Sequence, residues 1–447
     1  MPAAAVARRT RTALAPALLA GGVVALGTAA CDGGPERPRE PSLPVGRAYA
    51  DSALAWEQRY FYWASRVDFA AQQAAVRARV TGQPWTYTAA DSVFWGAVEY
   101  SINPWLRQAP PDAPDRHSLF FRPDVSPGKV DASPDPRNLA SGVTLPGASG
   151  QPVLAYVWLP GFTGRNREGR ADSIQTVIRQ LDTSAPCGWL LDLRRNLGGY
   201  TDAMVAGINP LLGDAPASAT QPGYFGEVDR DNGRALFFVT GGRAGLYDPA
   251  RGESFTYVAT RAPYTLRRPG SPVALLVGPA TASASEAITL GFRGGPVPYR
   301  SFGEPTYGLT TGPYGTYLRP DDGYLNITAT IMFDRTGRLY GTKLQPDELV
   351  VTGPAAFKYD QLTPTPRADD PVIAAASAWL RQQRSCTGAP AGLSRAPSDA
   401  APAAVAPRTL PGRVRPLPDA ARQPRVMAVP EAVFRREQAR LAAAAWP

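Results

Sequence analysis

The sequence predicts an α/β protein preceded by a small helical N-terminal domain, and three observations carry that prediction. From Pro152 onward, short apolar runs alternate with stretches of helical spacing, as layered sheets and helices require. Between Ala48 and about Leu106, apolar and aromatic residues recur at helical intervals. Both ends of the chain lack such periodicity and are rich in Pro, Ala and Arg.

Each segment has its own reading. Residues 1–31 form an export signal: Arg8, Arg9 and Arg11 precede an apolar run over 13–25 that is too short to span a bilayer stably. The run ends in Leu26-Gly27-Thr28-Ala29-Ala30-Cys31, which resembles a bacterial lipoprotein cleavage box with Cys31 as the lipidated residue. The plainer alternative is ordinary secretory cleavage near Ala30. Either way the protein is expected to be exported, and with the lipid it would sit on a membrane facing the periplasm or the exterior.

Residues 32–47 read as a linker. Residues 48–150 form the helical region, whose aromatics (Trp56, Tyr60, Phe61, Tyr62, Trp63, Phe69) read as core, followed by a Pro/Asp/Gly-rich loop. Residues 151–386 are the α/β core. Strands are expected over 153–159, 188–193 and 272–277, and helices over 170–181, 202–212, 285–292 and 371–383. A hairpin over 314–333 turns at Pro320-Asp321-Asp322-Gly323. Residues 387–447 read as a disordered tail, with a short helix over 431–446 that either frays or touches a partner or membrane surface.

Composition narrows the function. Hydrophobic residues make up 44% and charged residues 19%, which suits a packed core. A net charge of +9 would suit a polyanion, but much of the excess sits in the two ends and no nucleic-acid-binding pattern is visible, so nucleic acid is not an expected partner. One His and the lack of CxxC or HExxH spacing exclude a histidine-rich metal site, and no metal or organic cofactor is expected. Cys187 and Cys386 either pair in an oxidising compartment or remain two separate thiols.

Three stretches carry chemistry. Thr281-Ala282-Ser283-Ala284-Ser285-Glu286 joins a strand to a helix, a turn that exposes a hydroxyl beside backbone amides. Taken alone it also fits a helix cap, with Ser283 at the N-cap and Glu286 three residues on. Asp192-Leu193-Arg194-Arg195-Asn196-Leu197-Gly198-Gly199 ends an apolar strand in a diglycine turn, whose amides can face a developing oxyanion. Asp115-Arg116-His117-Ser118 contains the chain's single His, the usual base for a Ser hydroxyl.

Together these stretches resemble the tail-specific, or C-terminal-processing, protease family of serine peptidases (S41 type). Gly303-Glu304-Pro305-Thr306-Tyr307-Gly308 and Gln345-Pro346-Asp347 are similar to two further motifs of that family, in the same order. The resemblance covers about residues 150–352, with an extension to His117. It implies a crotonase-like fold, a polypeptide substrate and an acyl-enzyme on Ser283. The amides of Gly198 or Gly199 and of Ala284 would form the oxyanion hole.

The chain also departs from the family. Leu309 stands where members with a Ser/Lys dyad carry the Lys, so that dyad is excluded. A Ser/His branch of the family places its His in an Asp-x-His-Ser/Thr context, which His117 fits. The acid of that branch would fall at Tyr340, so Asp334 or Glu304 is left as a possible helper. The stretch between His117 and Val153 is too short for a PDZ domain. The competing expectation is a non-catalytic binding protein on the same fold. A third is an envelope scaffold acting through its Pro/Arg-rich tail.

Overall fold

The computed structural model describes residues 45–80, 96–107, 115–121, 139–147, 151–318, 323–351, 364–387, 415–416, 418 and 427–428. All of them fall within one compact unit, Pro44–Pro447. The export signal, Cys31 and the helix expected over 431–446 lie outside the described residues.

Two helices come first, α1 (Val45–Tyr60) and α2 (Phe69–Val80), with a further helical segment over 96–101. Short strands β1 (Leu119–Phe121) and β2 (Ser141–Leu145) follow. An alternating stretch then runs through β3 (Leu154–Trp158), α3 (Arg167–Asp182), β4 (Trp189–Asp192), the two-residue β5 (Gly198–Gly199) and α4 (Thr201–Leu212). A meander interrupts it: β6 (Phe225–Asp229), β7 (Arg234–Thr240), β8 (Arg243–Asp248) and β9 (Glu253–Ala259). Next come β10 (Val273–Val277), α5 (Ala284–Phe292), β11 (Tyr299–Gly303), β12 (Thr311–Tyr317) and β13 (Tyr324–Phe333). The last elements used below are β14 (Glu348–Leu349), α6 (Pro371–Arg381) and β15 (Met427–Ala428).

Two sheets organise these elements. The first has the order β14-β11-β10-β4-β3-β2 and is parallel except for the antiparallel edge strand β2. Its strands β3, β4 and β10 are buried on both faces, which is why they read as apolar runs. Successive side chains take opposite faces. Ala155, Val157, Trp189, Leu191, Val273 and Leu275 enter one core with α3, α4 and α5. Leu154, Tyr156, Leu190, Ala274 and Leu276 pack instead against Val372, Ile373, Ala376 and Leu380 of α6. Asp370 caps α6 by accepting from the amides of Val372 and Ile373.

The second sheet runs β1-β13-β6-β7-β8-β9, with β12 also on β13. The long β13 pairs with β12 along one edge. Along the other, β1 takes residues 324–326 and β6 takes 330–333, leaving a gap at 327–329. The helix α3 contacts strands of both sheets, and α4 packs on α3 and on β7, β8 and β9 of the second sheet.

Several expectations need correction. The helical N-terminal region is not a domain apart: α1 packs on β13, and Ala53, Phe61, Val98, Ile102 and Leu106 share a core with Leu325 and Ile327. The loop region before residue 150 contains β1 and β2. Residues 213–271, which gave no element from sequence, form the meander. The tail read as disordered contributes β15, paired antiparallel with β5. Of the two states left open for the cysteines, the structure has the paired one: a Cys187–Cys386 disulfide ties the start of β4 to the turn after α6. Among the described residues, no helix is long and apolar enough to cross a membrane.

Candidate active site

The site lies beyond the carboxyl ends of β4, β10 and β11, where open parallel sheets commonly present functional loops. Hydrogen bonds stitch these loops together. Thr281 Oγ1 accepts the Gly278 amide at 2.9 Å and donates to the Leu193 carbonyl at 3.0 Å. The Asn196 carbonyl accepts from the Ala282 amide at 3.0 Å and from Ser285 Oγ at 2.6 Å. Ser285 is thereby turned inward, whereas Ser283 sits at φ 57°, ψ −110°, a backbone region costly for any residue but Gly.

The hydroxyl points at His117. Ser283 Oγ and His117 Nε2 are 2.9 Å apart, and both residues are fully buried. The loop carrying His117 fills the gap on β13 between β1 and β6. Asp115 builds this loop: its Oδ1 accepts from the His117 amide at 3.0 Å, the Ser118 amide at 3.3 Å and Thr328 Oγ1 at 2.6 Å. Ser118 Oγ accepts from the Thr328 amide at 3.0 Å. Burial pushes the Asp115 carboxyl above the ordinary range, against the lowering effect of its hydrogen bonds. On the other side of the ring, His117 Nδ1 lies 2.9 Å from Thr311 Oγ1. The Arg116 guanidinium lies over the Tyr307 ring at 5.4 Å, linking the His loop to the loop after β11.

Neither carboxylate expected as the acidic helper is found at Nδ1. Asp334 closes its own turn, accepting from Thr336, Arg338 and, at 2.7 Å, from the Tyr340 hydroxyl. Glu304 is half-buried in the loop after β11, its amide bonded to the Val277 carbonyl. Thr311 stands there instead. Nothing in the sequence marks it, since its role arises from β12 pairing beside the His loop.

Glu286, legible in the sequence only as half of a capping box, has a wider role. Its carboxylate accepts from the amides of Ser283 at 2.8 Å, Gly308 at 3.0 Å and Leu309 at 2.7 Å, and from Thr306 Oγ1. Burial raises its pKa to about 7 despite these donors. Glu286 thus fixes the 306–309 loop to the Ser283 turn. Leu309 packs there with Ala280, Ala282 and Tyr307. Lys343 is exposed, with its stem against Gly308.

The expected oxyanion donors differ in availability. The Gly198 amide already donates to Asn196 Oδ1 at 2.9 Å. Gly199 adopts φ 124°, and a Cβ there would lie 2.0 Å from the Phe162 carbonyl oxygen, so only glycine fits. Ala284 is the first residue of α5, where amides have no intrahelical acceptor.

Comparison with known proteins gives a concordant result. The nisin-resistance protein of Lactococcus lactis subsp. lactis is 26% identical over 239 residues, 53% of this chain and 66% of that protein. The match therefore spans just under two thirds of the relative's length. A lipoprotein from Streptococcus agalactiae shares the fold at TM-score 0.51 and 16% identity, covering 76% of this chain and 96% of that one. A photosystem II D1 C-terminal processing protease aligns at TM-score 0.41 and 15% identity, over 69% of this chain and 94% of that one. Residues 153–350, which carry the 281–286 and diglycine turns, match the family described as Peptidase family S41.

Proposed function

We propose that the protein is a serine endopeptidase that cleaves polypeptides through an acyl-enzyme on Ser283, with His117 as general base. The observation that carries this reading is the 2.9 Å contact between Ser283 Oγ and His117 Nε2. With its ring proton on Nδ1, directed at Thr311 Oγ1, His117 offers a lone pair at Nε2 to the Ser283 hydroxyl. As Oγ attacks the substrate carbonyl, its proton passes to Nε2 and negative charge builds on the carbonyl oxygen. The Ala284 amide is one donor proposed for that oxygen, and the Gly199 amide is the other once the strand paired with it has left. Nε2 then gives the proton to the leaving amine as the C–N bond breaks. Water repeats the sequence to release the acyl group.

The helix over the first sheet and the helices between the two sheets fit a crotonase-like core. The Cys187–Cys386 disulfide favours an oxidising compartment, in keeping with an export signal and with lipidation at Cys31. A cell-envelope site also agrees with the two relatives described as a nisin-resistance protein and a lipoprotein. Nisin is accordingly one polypeptide to try as substrate.

The complete burial of Ser283 and His117 favours a second reading, a binding protein that retains the fold without turnover. A fluorophosphonate probe separates the two. Covalent label lost in Ser283→Ala and kept in Ser285→Ala is the expected pattern. Label absent from the parent protein, or kept in Ser283→Ala, rejects the catalytic reading.

A further inference from the structure

β5 is only two residues long, yet both of its edges are used. On one edge the Phe162 amide donates to the Gly198 carbonyl at 3.0 Å, and the Tyr200 amide donates to the Phe162 carbonyl at 2.7 Å. Backbone polar groups of successive strand residues face opposite edges, so those of Gly199 are turned to the far edge. There Met427 is the antiparallel partner of Gly199, and Ala428 that of Gly198. This edge borders the reactive turn. α5 packs against β5, and the Asn196 carbonyl just before β5 binds the Ala282 amide and Ser285 Oγ.

The segment that fills the edge has a suitable sequence. Val426-Met427-Ala428-Val429 is a short apolar run between Pro424-Arg425 and Pro430, and proline on either side biases it toward extended backbone. The tail is also held upstream. The Arg415 amide donates to the Asn232 carbonyl at 3.4 Å, and its guanidinium lies 3.8 Å from the Asp231 carboxylate.

We propose that the chain's own segment around Met427–Ala428 is an intramolecular occupant of a peptide-docking edge at Gly198–Gly199 and competes there with substrate. The competitive part rests on the catalytic reading above. An extended peptide adding a strand to this edge gains main-chain hydrogen bonds, and a tether raises the local concentration of its own segment to the millimolar range. A weak strand therefore competes well. The complete burial of Ser283 agrees with a site that must be uncovered before a substrate carbonyl arrives.

The test uses the full-length chain. In the Met427→Pro/Ala428→Pro double variant both paired residues lose their amide protons. Its fluorophosphonate labelling of Ser283 is expected to run about tenfold or more faster than the parent's, with a lower KM for casein. A synthetic peptide spanning 423–430 should slow both again. Docking is read separately, by fluorescence anisotropy of that peptide, fluorescein-labelled, on the same double variant carrying Ser283→Ala. Saturable binding is expected there, with little binding to the Ser283→Ala single variant, whose edge is filled. Peptide binding by a protein whose Ser283 never takes label would remove the catalytic reading and leave the docking edge standing. Equal labelling rates in a folded double variant, or no binding of the peptide at millimolar concentration, overturns the proposal.

Discussion

The imidazole of His117 bridges two hydroxyls, Ser283 Oγ at Nε2 and Thr311 Oγ1 at Nδ1, each at 2.9 Å. A hydroxyl at Nδ1 can orient the ring and fix its tautomer, but it brings no charge to balance an imidazolium. Thr311 is therefore expected to act as a positioning residue of modest weight. A neutral hydrogen bond contributes ~1 kcal/mol, so Thr311→Val should lower kcat about fivefold and shift the acid limb of the rate–pH profile. Thr311→Ser should restore both. An unshifted limb and an unchanged rate in Thr311→Val would remove Thr311 from the mechanism. His117→Ala should cost far more, about 10²–10⁴-fold in kcat, because it removes the proposed base. A His117→Ala rate equal to the parent's would exclude it as base.

At the scale of elements, the N-terminal helices meet around a buried acid. Glu57 on α1 accepts from Gln72 Nε2 of α2 and from Ser101 Oγ of the next helical segment, each at 2.6 Å. Burial raises its pKa from 4.5 to about 8. The folded state thus holds a proton that the unfolded chain releases near 4.5. The stability contributed by this group is full below pH 4.5 and is lost as pH climbs toward 8. Glutamine fits the same contacts. Its Nε2 donates to Ser101 Oγ, which donates to the Val98 carbonyl at 2.7 Å, and its Oε1 accepts from Gln72. Glu57→Gln should melt above the parent at pH 9 and close to it at pH 4. A variant less stable than its parent at both values would contradict this assignment.

Elements were legible where burial is two-sided or periodic. β3, β4 and β10 read as apolar runs, and α3 to α6 as helical spacing. The meander was not legible because β7 turns Leu236 and Phe238 to its half-exposed face while Ala235, Phe237 and Val239 go inward, which erases the apolar–polar alternation. β1 and β15 are too short to leave a pattern, and β2, with Ser, Gly and Thr among its five residues and none of them buried, forms no apolar run. Their existence depends on the edges they join.

On the scale of the molecule, the Cys187–Cys386 disulfide closes a loop of 199 residues that contains Ser283, the diglycine turn and the entire meander. In the chain-entropy account, a loop of this size stabilises the fold by about 5 kcal/mol. Reduction, verified by thiol titration, should therefore move the urea midpoint clearly downward. An unmoved midpoint in the reduced protein would show that the cross-link adds nothing to this fold.

The sequence by itself determined the class of the fold, the Ser283 turn, the diglycine turn and the solitary imidazole, because each depends on local periodicity or on residues adjacent in the chain. It did not determine the partner of His117 Nδ1, the four-donor seat of Glu286, the pairing of the two cysteines or the tail strand on β5. Those contacts join residues far apart in the chain: His117 with Thr311, Glu286 with Thr306 and Leu309, Cys187 with Cys386, and Gly199 with Met427. Hydroxyls, amides and short strands form such contacts with any suitable neighbour, and only the packing of the two sheets decided which neighbours they met.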